Sequence, residues 1–125
     1  MKIAVTATGP DLEAKVDPRF GRCQYFLCVD TDDMSFEAVE NSNISLGSGA
    51  GIQSAQVMAE RGIQCVLTGN CGPNAFQVLS AAGIKVVTGV SGKVQDAVRD
   101  YKAGKYHASS QPNVSGHWGT GRGMD

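Results

Sequence analysis

The chain has 125 residues, a net charge of −1, and acids and bases mixed along its length. That is the size of one domain of about 100–150 residues, able to bury roughly two-thirds of its unfolded surface without disulfides. The near-neutral charge argues against a general nucleic-acid surface, which carries a basic excess, and no apolar run approaches the roughly 20 residues that span a membrane.

Met1-Lys2-Ile3-Ala4-Val5 enters a strand pattern directly, with no signal-peptide pattern, so the expected compartment is the cytoplasm. Lys2–Ala7 is the first predicted strand. The polar stretch Thr8–Arg22 follows, with Gly9-Pro10 and Asp17-Pro18 as turn signals. Gln24–Asp30 is a second strand, with Tyr25, Leu27 and Val29 on one side and Phe26 and Cys28 on the other. Asp32-Asp33 turns the chain into a third strand, Ser35–Glu40, with alternating exposed acids, and the three strands read as an antiparallel meander.

The second half alternates strands and helices. The small-residue loop Asn41–Gly51 leads into a helix with Ile52, Ala55, Met58 and Ala59 on one face, stopped by Gly62 as a left-handed cap. Gly62–Gly69 recurs 21 residues later as Gly83–Gly89, each copy containing a strand. Between them lies a helix opened by Pro73, with the face Ala75, Val78, Leu79 and Ala82. A last helix follows, with the face Val94, Ala97, Val98 and Tyr101, and ends at Gly104. The expected organisation is one domain over residues 1–107 and a flexible glycine-rich tail over 108–125. The order β-β-β-α-β-α-β-α predicts an α/β, ribonuclease-H-like, three-layer fold with a mixed five-stranded sheet and right-handed parallel crossovers.

Strand direction indicates where a ligand would sit. If the later strands run parallel to the first, four segments meet at its carboxyl end: Thr8–Cys23, Gly47–Gly51, Gly69–Asn74 and Gly89–Gly92. Ligands of open α/β sheets bind at that edge. All three helices begin there, and each N-terminus favours an anion by about 0.3–1 kcal/mol. Arg19 and Arg22 add fixed positive charge, and Cys23 and Cys71 bring two thiols to the same rim. The prediction is a polar, anion-accepting cleft with sulfur nearby.

Each element also has a plainer reading. The four cysteines, Cys23, Cys28, Cys65 and Cys71, have C-x4-C and C-x5-C spacings, neither of them a zinc or iron–sulfur signature. Cys28 and Cys65 lie inside strands and read as core. Cys71 precedes the helix opened by Pro73, where a lowered pKa would suit a soft metal ligand; the plainer reading is a solvent-facing bystander. Gly49-Ala50-Gly51 either cradles an anion or is a flexible connection, and it is no P-loop. Arg19-Phe20-Gly21-Arg22 is either a basic clamp with an aromatic anchor, or a loop in which Phe20 packs beneath and the arginines pair with Asp11, Glu13 or Asp17. His117, beside Trp118 in the tail, could close over a ligand as a copper or iron donor, or belong to a disordered end. His107, after the last helix, reads as a surface residue. No acids sit on the first strand to hold the metal pair of a ribonuclease-H-type nuclease, and no Gly-x-Ser-x-Gly elbow occurs, so no enzyme is expected.

Three segments carry a resemblance: Asp17-Pro18-Arg19-Phe20-Gly21-Arg22-Cys23 before an aromatic strand, Gly49-Ala50-Gly51-Ile52, and Gly72-Pro73-Asn74-Ala75. In this order and at these distances, the chain resembles the dinitrogenase iron–molybdenum cofactor biosynthesis family over about residues 1–105, and within it the free-standing orange-protein branch. The resemblance implies a non-catalytic carrier of a metal–sulfur cluster, of the molybdenum–copper sulfide or iron–molybdenum type, held without protein–metal bonds. It also implies a partitioning-type ATPase or a homologous family member as partner. It places cluster binding on Arg19, Phe20, Gly21, Arg22, Gly49, Ala50, Gly51, Ile52, Gly72, Pro73 and Asn74; the reading of the residues themselves, apart from the resemblance, offers Cys23, Cys71 and His117 as candidate metal donors. The chain lacks the C-x3-C-x2-C segment of the cofactor synthase. The alternative is a regulatory or scaffold module that docks the ATPase and carries no cluster.

Overall fold

The central strand is β1, Lys2–Ala7, of which Ile3 through Ala7 are buried. The computed structural model describes residues 1–42 and 49–113. β2 (Tyr25–Asp30) and β3 (Phe36–Glu40) complete the antiparallel meander, with Val5 opposite Leu27 and Leu27 opposite Ala38. After α1 (Ala50–Glu60), β4 (Cys65–Leu67) pairs parallel with β1; after α2 (Pro73–Ala81), β5 (Lys85–Val87) pairs parallel with β4; α3 (Val94–Lys102) follows. The five strands lie in the order β3-β2-β1-β4-β5. The α/β fold, the element order and the mixed sheet are those expected.

Strand alternation divides the core into two layers. Ile3, Val5, Leu27, Val29, Cys65, Leu67 and Val87 face α3, against Val94, Ala97 and Val98. Ala4, Phe26, Val66 and Val86 face α1 and α2, against Ala55, Met58, Ala75 and Leu79. Because both faces are covered, the three-residue strands β4 and β5 are almost wholly apolar. Among the described residues, no helix is long and apolar enough to cross a membrane.

Two helix faces differ from expectation. On α1 the buried residues are Ala50, Ser54, Ala55 and Met58, while Ile52 is half-buried and Ala59 exposed. The cause is close helix contact: a Cβ on Gly51 would stand 3.2 Å from Ala75 Cβ, so α1 turns its smallest residues to α2. On α2, Ala75 and Leu79 are buried, Val78 is half-buried, and Ala82 is the exposed C-cap. Gly62 (φ +72°) and Gly104 (φ +79°) lie beyond the ends of α1 and α3 in the left-handed region expected of helix stops.

The described start of the tail is tied to the domain. Ser109 N–H donates to Val86 O at 2.6 Å, and Asn113 reaches the loop before α2 with four hydrogen bonds. The expected flexible segment 108–125 is therefore held down as far as Asn113; its remainder, with His117 and Trp118, lies outside the described residues.

Candidate functional site

β1, β4 and β5 run parallel, and β3, antiparallel to β2, ends at the same edge. That edge receives the loop after β1. Its first part folds back on itself: Thr8 N–H donates to Lys15 O at 2.9 Å, Ala7 bridges Val16, and Val16 N–H donates to Gly92 O at 2.8 Å. The turn of this hairpin caps α3, since Val94 and Gln95 N–H donate to Ala14 O and Leu12 O at 2.9 and 3.0 Å. The expectation that all three helix N-termini face a ligand is thus corrected. The leading N–H groups of α3 are spent on backbone carbonyls, and those of α1 and α2 are the ones left for the rim.

From Asp17 onward the loop crosses the tops of the strands. Thr6 Oγ1 donates to Asp17 O at 2.6 Å and lies 2.9 Å from Thr68 Oγ1, so the two central strands share a buried polar pair beneath the loop. Asp17 is buried, and its Oδ1 accepts Arg19 N–H at 3.0 Å and lies 3.5 Å from Arg19 Nε. Asp17 is therefore the carboxylate that holds Arg19; Glu13 instead pairs with Lys93 at 3.0 Å. Arg19 keeps 62% of its side chain exposed, and Arg22 is exposed with no ion pair among the described residues. Phe20 is 8% exposed and stacks obliquely on Phe26, with ring centroids 5.6 Å apart. It anchors the loop from beneath, leaving the arginines above.

The three signature segments come together by backbone contact. A Cβ on Gly21 would lie 2.7 Å from Gly51 Cα, so the arginine loop touches the first turn of α1. A Cβ on Gly69 would lie 2.7 Å from Pro18 Cα, and Phe20 N–H donates to Asn70 O at 3.1 Å, so the same loop touches the approach to α2. Neither α1 (N-cap Gly49, first turn Ala50, Gly51, Ile52) nor α2 (N-cap Gly72, then Pro73, Asn74) has a side-chain cap or an acid in its first turn. Pro73 has no N–H to leave orphaned at the start of α2.

The thiols differ from expectation. Cys23 and Cys71 are 0% and 1% exposed, and burial pushes both up to about 12 from the ordinary 9.0. For Cys23 the nearby Asp17 carboxylate pushes the same way. The expected fall at Cys71 is overturned because the side chain is buried in the core layer that also holds Phe20 and Ala75, where desolvation outweighs a dipole worth about 1 kcal/mol. Both are neutral thiols. Cys65 is core as expected, and Cys28 is half-buried against the α1–α2 layer. Among the described residues, no three His, Cys, Asp or Glu side chains converge as a metal site. The rim offers charge and N–H groups rather than a ligand set.

Three asparagines hold this arrangement and were not singled out in the sequence. Buried Asn41 follows β3, and its Nδ2 donates to Gly21 O at 2.9 Å and Cys23 O at 2.8 Å. Asn70 Nδ2 donates to Pro18 O at 3.0 Å. Asn113 Oδ1 accepts Cys71 N–H at 2.7 Å, while its Nδ2 donates to Gly69 O and Asn70 Oδ1 at 3.1 and 3.0 Å. Each lies in a polar loop without the periodicity that marks a core position.

The family model described as "Dinitrogenase iron-molybdenum cofactor" matches residues 1–104. The apo form of the orange protein from Desulfovibrio gigas is 47% identical, with a TM-score of 0.87 covering 90% of this chain and 95% of that one. A Thermotoga protein assigned to the NifB type is 34% identical, with a TM-score of 0.75 covering 86% and 91%. An uncharacterized protein of Methanocaldococcus jannaschii is 29% identical over 108 residues, 84% of this chain and 88% of its own length.

Proposed function

The chain belongs to the dinitrogenase iron-molybdenum cofactor family, and from that premise we propose that it is a carrier rather than an enzyme. Its cargo is an anionic metal–sulfur cluster of the molybdenum–copper sulfide or iron–molybdenum type. The observation that carries this reading is the convergence of the arginine loop on the first turn of α1 and on the approach to α2, through the Gly21–Gly51 and Pro18–Gly69 contacts. Thiometallate clusters spread negative charge over soft sulfides. Backbone N–H groups, two uncapped helix N-termini and the Arg19 and Arg22 guanidiniums can hold such charge by hydrogen bonds and field.

The neutral thiols support binding by charge: Cys23 and Cys71 would each have to leave the core and lose a proton before serving as a ligand. A cargo held without covalent bonds can also be handed on without breaking any. Loading and delivery require partners, and the partitioning-type ATPase or homologous family member implied by the resemblance is the one proposed.

The test is the double substitution Arg19→Ala and Arg22→Ala. Wild-type protein incubated anaerobically with tetrathiomolybdate and cuprous ion, then desalted, is expected to retain colour and metal. Each lost charge-assisted hydrogen bond costs about 1.5–3 kcal/mol, so the double variant should bind at least 100-fold more weakly. Equal retention by the two proteins would contradict the reading.

A further inference from the structure

One edge of the sheet is covered by the chain itself. The segment after α3 lies along β5, where Ser109 N–H donates to Val86 O and the Ser109 and Thr88 hydroxyls lie 2.9 Å apart. The other edge is β3, which among the described residues pairs with β2 alone.

The pairing pattern determines which backbone groups of β3 are open. Asp30 N–H donates to Ser35 O at 2.8 Å, and Asn41 N–H to Gln24 O at 2.9 Å, so residues 35, 37, 39 and 41 turn their polar groups toward β2. The N–H and C=O groups of Phe36, Ala38 and Glu40 therefore point away from the sheet. All three side chains are exposed, and Phe36, at 42%, is one of two exposed large apolar side chains among the described residues. The strand carries no proline or lysine, the usual guards of a free edge.

Charge distinguishes between possible occupants. Asp30–Glu40 contains five carboxylates and no basic residue. The N-terminal ammonium lies beside Asp30 and Asp32, Arg61 pairs with Glu37, and Lys2 stands opposite Asp30, leaving Asp33 and Glu40 without an ion pair among the described residues. A second copy of this chain would bring the same acids against their like.

We propose that the open edge of β3 docks a partner protein through an extended segment of alternating basic and apolar residues, which adds a strand to the sheet. Main-chain hydrogen bonds to Phe36, Ala38 and Glu40 would fix its register. Its apolar side chains would stand beside Phe36 and Ala38, and its basic ones, on the opposite face, would reach Glu37, with Asp33 and Glu40 adding negative charge toward the two ends of the strand. The edge runs directly into Asn41, which holds Gly21 and Cys23, so the docked strand would lie next to the support of the rim. The inference does not depend on the nature of the cargo.

The probe is an acetylated, amidated hexapeptide of alternating lysine and valine, titrated into isotope-labelled full-length protein and followed by amide NMR. The expected result is saturable shifts centred on Phe36, Ala38 and Glu40, absent with an alternating glutamate–valine peptide. Ala38→Pro removes an N–H that the sheet does not use, so the variant should fold normally and bind at least tenfold more weakly. A second variant, Glu37→Gln with Glu40→Gln, should weaken binding in the same direction. Shifts centred elsewhere, or undiminished binding by both variants, would overturn the proposal. So would a wild-type dimer that Ala38→Pro dissolves, because the occupant would then be a second copy.

Discussion

Gly21 allows the magnitude of the rim contact to be worked out from three substitutions. At Gly62, φ is +72° and an added Cβ meets nothing within 4 Å, so Gly62→Ala incurs backbone strain alone, about 1 kcal/mol. At Gly69 the φ angle is not in the left-handed region, but the Cβ would lie 2.7 Å from Pro18 Cα. Gly69→Ala therefore incurs overpacking alone, about 2 kcal/mol. Gly21 combines both, with φ +93° and a Cβ 2.7 Å from Gly51 Cα and 2.9 Å from Gly51 N. Both contacts are backbone atoms of α1, which cannot rotate away. Gly21→Ala should then cost the sum, about 3 kcal/mol. For a domain of this size that is a fall in Tm of about 12 °C, at roughly 4 °C per kcal/mol. Urea denaturation of the three variants beside the wild type gives the ledger directly. If Gly21→Ala costs no more than Gly62→Ala, the arginine loop does not press on α1 and the geometry of the rim is wrong.

Other outcomes follow from the same contacts. Asn41→Ala should cost about 2–3 kcal/mol in urea denaturation, because it strands the Gly21 and Cys23 carbonyls that Asn41 serves at 2.9 and 2.8 Å. Raised thiol pKa values mean that the folded state keeps protons which the unfolded state loses above pH 9, so stability is intact below pH 9 and falls as pH climbs toward 12. Each of Cys23 and Cys71 should contribute a slope of about 1.4 kcal/mol per pH unit in that window, and a Cys23→Ala, Cys71→Ala variant should show a shallower slope in alkaline urea titrations. Asn113→Ala removes the acceptor on Cys71 N–H, so hydrogen exchange at the Cys71 amide should accelerate severalfold while exchange in β1 stays unchanged.

Much of the fold was legible because strand alternation is a local signal. Tyr25, Leu27 and Val29 against Phe26 and Cys28 describe the two core layers as they stand, and α3 buries Val94, Ala97 and Val98 as its spacing requires. The stripe on α1 was misread because small residues decide it. Gly51 lets α1 approach α2, a contact that weighs more than the hydrophobicity of Ile52. The convergence of the arginine, Gly49–Ile52 and Gly72–Asn74 segments could be anticipated from strand direction. What fills the spaces between them could not. Capping of α3 by Leu12 and Ala14 uses main-chain carbonyls, which leave no mark on composition. The state of Cys71 depends on whether its side chain points into the core or outward, a choice made by tertiary packing. The asparagine ties at positions 41, 70 and 113 span 18 to 52 residues of sequence, too far for any local pattern to show.

The central claim is that the rim carries a metal–sulfur cluster. It is tested most directly by an anaerobic visible absorption spectrum, with elemental analysis for molybdenum, copper, iron and zinc, on protein purified from its native host. The account predicts sulfide-to-metal bands with near-stoichiometric metal, the metal ratio distinguishing the molybdenum–copper from the iron–molybdenum type. Protein that is colourless and metal-free, and stays so after incubation with thiomolybdate and copper or with an iron–sulfur source, would contradict it.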